Sequence, residues 1–82
     1  MTRQEEEVLS FVMSYGDDHT DENGIRHFPG PNQVSAAVGF RNALYQLIDK
    51  DYLFIAADRG LAPKPKAEGW WAERKKRLPK VL

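Results

Sequence analysis

Apolar residues recur along the first fifteen positions at helical spacing. Val8, Leu9, Val12 and Tyr15 share one face, with Phe11 and Met13 on its borders and polar residues elsewhere. Thr2 followed three positions later by Glu5 is a capping-box pattern, so the periodicity predicts a helix over residues 3–15. Glu5, Glu6 and Glu7 fall in its first turn, where carboxylates favour the positive end of the helix dipole. Gly16 is placed to end it, and Asp17 and Asp18 would oppose its negative end if it ran on. The pattern lapses over "GDDHTDENGIRHFPG", residues 16–30, where "DENG" signals a turn and "IRHF" is long enough for one short strand.

Periodicity resumes at Pro31. Val34 and Val38 lie one turn apart and predict a helix over 31–38, which proline can open because a first-turn amide has no partner. Ser35, Ala36 and Ala37 offer small side chains where two helices would touch. Gly39 gives the backbone freedom a sharp turn needs, Phe40 can plug the corner, and Asn42 can cap the next helix. Leu44, Leu47 and Ile48 then form the buried stripe of that third helix, over 42–51, which Leu53 extends. Away from the stripe stand Arg41, Asn42, Gln46 and Lys50, side chains of the kind that donate to base edges and phosphates. Any exposed helix face carries polar residues, however, and Asp49 and Asp51 would repel a phosphate backbone. Two helices joined by a glycine turn are helix-turn-helix grammar, whose second helix usually enters a major groove.

Residues 53–66 read as a β-hairpin. Leu53–Ala57 is rich in strand formers, Asp58-Arg59-Gly60 supplies the turn, and Leu61 begins the return. Pro63 and Pro65 confine the returning strand to an edge and keep it short. Lys64 and Lys66 are expected to project beside Arg59. The tail predicts a last helix over 67–77, stopped before Pro79. Trp70 and Trp71 are adjacent and cannot face the same way, so one packs onto the first helix and the other is half exposed or meets a partner. Arg74, Lys75, Lys76 and Arg77 either hold phosphates or form a solvated helix end that favours the dipole.

At 82 residues, with hydrophobic side chains at 41% and charged ones at 29%, the chain has room for one domain and a single modest core. The elements make it α+β. It holds no cysteine, so disulfides and thiolate metal sites are excluded. The acidic "MTRQEEEVL" is not a signal peptide, and no apolar run approaches a membrane span; a cytoplasmic domain without membrane partners is expected. His19, Asp21, Asn23 and Gly24 mimic the early positions of a calcium loop, but Gly30 stands where its bidentate glutamate is required. His19 and His27 are eight apart, a spacing no common zinc motif uses, so no metal is expected. No Ser–His–Asp constellation and no glycine-rich phosphate loop can be assembled either, so the reading is of a non-enzyme without cofactors.

The net charge of zero conceals a division. Residues 1–58 hold four basic against ten acidic side chains, a net −6, and residues 59–82 hold eight against two, a net +6. The basic end is either the footprint of a polyanion-binding edge or the counter-charge of the acidic half within the fold.

In order and spacing the pieces resemble the winged helix-turn-helix superfamily, and within it the N-terminal DNA-binding domain of LexA-type repressors. The similar pieces are "TRQEEEVLSFVMSY", "VSAAVGF" and "LYQLIDKDYL", spread over residues 2–61. The following "APKPKAEGWW" is similar to the wing-to-helix ending of other winged-helix regulators. The chain departs from the LexA-type pattern in a longer loop before the second helix and in lacking about six residues between the glycine turn and the middle of the third helix, which shortens the reading helix. The resemblance implies a winged-helix fold, with Arg41, Asn42, Gln46 and Lys50 on the reading helix and Arg59 and Lys64 on the wing. Lys66 and Lys75 add basic charge from the hairpin and the tail.

The expected partner is therefore double-stranded DNA, bound by a small transcriptional or recombination regulator of phage or plasmid type. Palindromic sites would imply a homodimer. The alternative is a winged helix used as a protein-interaction module that binds a host protein, favoured by zero net charge and the acidic first half.

Overall fold

The computed structural model describes residues 1–57 and 60–77. Its elements run α1 (Arg3–Asp18), α2 (Pro31–Ala37), α3 (Arg41–Asp49), β1 (Leu53–Ala56), β2 (Gly60–Pro63) and α4 (Pro65–Arg77). Four helices surround one core, and a two-stranded antiparallel hairpin flanks it, so the class is α+β.

The start of α1 is fixed by a reciprocal cap. Thr2 Oγ1 accepts from the Glu5 amide at 3.2 Å, and Glu5 Oε1 accepts from the Thr2 amide at 2.8 Å. Its far end differs from the sequence expectation: the helix passes through Gly16 and continues to Asp18, with His19 as the cap. Gly16 is there for packing, since the Phe28 ring occupies the space a Cβ would need. Asp17, unfavourable at a helix C-terminus, is compensated by the Trp71 indole N–H at 2.9 Å and by Arg26 and Lys75 at 3.7 and 3.5 Å. Trp71 is thus the buried member of the tryptophan pair, and Trp70 is half-buried beneath the Arg74 guanidinium.

Between α1 and α2, "DENG" turns with Gly24 at φ +80°, and Asp21 Oδ1 accepts from the amides of Asn23 and Ile25. The strand anticipated at "IRHF" reduces to a single bridge, Thr20 with Arg26, because the opposing segment is helical up to Asp18 and turns again after Asp21.

Gly39, at φ +82°, breaks the chain between α2 and α3. The helix pair meets through Val34, fully buried, and Val38, half-buried; Ala36 and Ala37 are exposed, contrary to the contact role their size suggested. The α3 helix starts one residue earlier than expected, capped by the Phe40 backbone with no side-chain cap bond, so Asn42 lies inside the first turn rather than capping it. It ends at Asp49 rather than residue 51, because Asp51 adopts φ +65° to turn the chain into β1.

The hairpin pairs Leu53 with Pro63 and Ile55 with Leu61. Along the outer edge of β2 runs the segment Phe28–Pro29, whose Pro29 carbonyl accepts from the Leu61 amide at 3.1 Å. Gly60 makes this approach feasible: a Cβ there would lie 2.5 Å from the Phe28 oxygen and 2.8 Å from the Pro29 oxygen, at φ +73°. Residues 58 and 59 lie outside the described residues, and so does the predicted role of Arg59. The last helix begins at Pro65, two residues earlier than expected, with proline in its first turn; this removes Lys66 from the hairpin.

The core joins Val8, Leu9, Val12 and Met13 of α1 to Val34, Leu44 and Leu47, with Leu53 and Leu61 from the hairpin and Trp71 from α4. No helix among the described residues is long and apolar enough to cross a membrane.

Gly60→Ala is expected to cost about 2–4 kcal/mol, since it combines a strained left-handed backbone with a backbone clash. Gly24→Ala, equally left-handed but facing open space, should cost only about 1 kcal/mol. Urea midpoints of the two variants check this; equal losses would show that the hairpin does not depend on the close approach to Phe28–Pro29.

Candidate nucleic-acid interface

The outward face of α3 follows from its buried stripe. With Ala43, Leu44 and Leu47 turned into the core, Arg41, Asn42, Tyr45, Gln46 and Asp49 are left exposed. Asn42 and Gln46 are one turn apart and line the same groove. Arg41 donates weakly to Ser35 Oγ at 3.4 Å across the glycine turn and makes no ion pair among the described residues. Tyr45, 48% exposed, is a large aromatic that the sequence pattern did not mark out. Asp49 puts a carboxylate at the C-terminal end, so the part of this face fit for a polyanion is its N-terminal half.

The other proposed cations among the described residues are engaged elsewhere. Lys50 points away from the exposed face, and its ammonium donates to both oxygens of Glu5, at 3.1 and 2.9 Å. The Glu5 side chain is 1% exposed, so this is a buried carboxylate neutralised by a half-exposed lysine. The amide of Thr2, followed by the Lys50 ammonium, holds the Glu5 carboxyl below the usual glutamate range. The backbone oxygen of Lys50 in turn accepts from Lys66 Nζ at 3.1 Å, while that ammonium sits 4.6 Å over the Tyr52 ring. Lys64 pairs with Asp51 at 3.1 Å, and Lys75 with Asp17. Arg74 pairs with Glu6 and Arg26 with Glu68 and Asp17. Lys64, Arg74 and Lys75 of the second half are thereby set against carboxylates of the first.

The chain matches no protein-family model, no curated protein and no solved structure.

The structure brings Asn42 and Gln46 together with the first turn of α1, while Arg41 lies against Ser35 instead. An open groove of about 350 Å³ separates Thr2, Arg3 and Gln4 from Asn42, Ala43 and Gln46. Arg3 carries no signal of this in the sequence, since only the packing of α1 on α3 makes it their neighbour. On the hairpin side, Phe54 (41% exposed), Ile55 (57%) and Ile25 (44%) leave apolar surface uncovered. A second open groove runs there between Ile25, Phe28, Phe54 and Ala62. Among the described residues no group of three or more potential metal ligands is assembled, and His27 simply pairs with Asp21 at 2.9 Å.

Lys50→Ala strands a buried carboxylate and is expected to cost about 2–3 kcal/mol of stability, moderated by the water that can reach the site. Because the Glu5 carboxyl is depressed in the folded protein, its contribution is present above the ordinary glutamate range and is lost as pH falls through the lowered value. Glu5→Gln should therefore flatten the acid limb of a stability–pH curve; an unchanged limb would mean that another carboxylate governs acid unfolding.

Proposed function

We propose that this protein is a winged-helix DNA-binding regulator whose α3 contacts duplex DNA through Arg41, Asn42 and Gln46. The observation that carries the reading is the combination of a glycine-broken helix pair with an α3 face on which an arginine and two amide side chains stand exposed. Amides and guanidinium groups are the donors suited to base edges and phosphates, and the first turns of a reading helix are where such contacts gather. The hairpin after α3 corresponds in order to a wing. Its lysine at position 64 faces a local carboxylate, so the wing contributes less positive charge than its sequence suggests. Affinity then rests on few phosphate contacts, and the salt dependence is shallower than that of a strongly basic domain.

A second reading is supported by a different surface. The uncovered Ile25, Phe54 and Ile55 lie on or beside a hairpin whose first strand carries no charge or proline to discourage pairing. In this reading the domain binds a protein, and zero net charge suits an apolar contact better than a polyanion.

Arg41→Ala should weaken binding to all duplexes and reduce the slope of log affinity against log salt by about 1. Gln46→Ala should chiefly relax preference within a random duplex pool. If both bind the pool like the parent, α3 is not the reading face. The readings separate in a lysate capture performed with and without nuclease. An Ile55→Lys variant that loses a nuclease-resistant partner while retaining duplex binding assigns the hairpin to protein contact.

A further inference from the structure

We infer that the groove between the first turn of α1 and the N-terminal half of α3 seats one phosphodiester strand, with Arg3 as its phosphate-binding residue. The inference deepens the DNA-binding reading and rests on it. Its ground is the way charge is distributed. Lys50, Lys64, Lys75, Arg74 and Arg26 are each within ion-pair distance of a carboxylate. Arg3, Arg41, Lys66 and Arg77 make no such pair among the described residues, and of these four Arg3 is the one that lines this groove, with Arg41 exposed beside Asn42. Glu5, the carboxylate nearest in sequence to Arg3, is turned inward and already neutralised by Lys50, so it offers Arg3 nothing and repels an incoming phosphate little.

The shape agrees with that charge. Asn42 and Gln46 form one wall with their amides, Arg3 and Gln4 form the other, and Ala43 between them keeps the floor low. A backbone strand lying in this trough meets a guanidinium on one side. Its sugar or base edges meet amide donors and acceptors on the other, so the wall that holds the strand and the wall that reads it belong to different helices. The Glu5–Lys50 pair, joining α1 to the end of α3, sets the separation of those walls. Arg3 is therefore a contact residue and Lys50 a positioning residue.

Arg3 is exposed and begins α1, so Arg3→Ala is compatible with folding. The test is duplex binding by the full chain across a salt series, with Arg3→Lys as the conservative variant. The expected result is about a fivefold loss of affinity for Arg3→Ala and a slope smaller by about 1, with Arg3→Lys close to the parent in slope. Since the chain has no cysteine, Gln4→Cys can also carry a tethered iron–EDTA group, which should cleave bound DNA at a discrete position. A parent that binds duplex while Arg3→Ala keeps its full slope, or a Gln4→Cys conjugate that leaves the duplex uncut, overturns the groove assignment and leaves the α3 reading standing. A parent that binds no duplex even at low salt overturns both.

Discussion

A buried carboxylate that must not be left alone governs the arrangement of this molecule. Glu5 completes the cap of α1 through the Thr2 amide, and the same carboxylate receives the ammonium of Lys50 from the end of α3. Removing the ammonium while the helices stay packed would strand the carboxylate in a poorly solvated seam, which costs more than an exposed ion pair returns. The Lys50 carbonyl extends the same junction to α4 through Lys66. Three helices are thus referenced to one residue pair, and the exposed face of α3 takes its orientation from it.

The second organising fact is electrostatic. Among the described residues the acidic first half and basic second half meet in three ion pairs, Glu6 with Arg74, Asp17 with Lys75, and Asp51 with Lys64. Most of these pairs are partly exposed and individually weak. Their consequence for binding is larger than their contribution to stability, because each removes a cation from the set that could meet a polyanion. Among the described residues the cations left without a carboxylate are Arg3, Arg41, Lys66 and Arg77.

The hairpin shows how a close backbone approach substitutes for a third strand. Phe28–Pro29 lies against the outer edge of β2, and Gly60 accommodates it. The opposite edge, β1, keeps exposed Phe54 and Ile55. The exposed apolar side chains thus lie on the hairpin, Phe54 beside Ile25 and Ile55 on the opposite face, apart from the polar face of α3.

Local sequence carried the elements. The periodicity of Val8, Leu9 and Val12, the Thr2–Glu5 cap, the glycine at 39 and the strand formers at 53–56 are short-range signals, and the backbone obeys them within a few residues. Local chemistry misled where a long-range contact took precedence: Gly16 sits within α1 because of the Phe28 ring, and Asn42 does not cap because Phe40 packs at the corner. The fate of each cation was also beyond the sequence. Lys50 and Arg41 look equivalent as exposed basic positions of one helix, yet one meets a carboxylate 45 residues away in the chain and the other meets only a neighbouring serine. Sequence determined which residues form helices and which could carry positive charge. Only the tertiary structure decided which of those charges remain available, because ion pairing depends on distances that arise when separate elements pack.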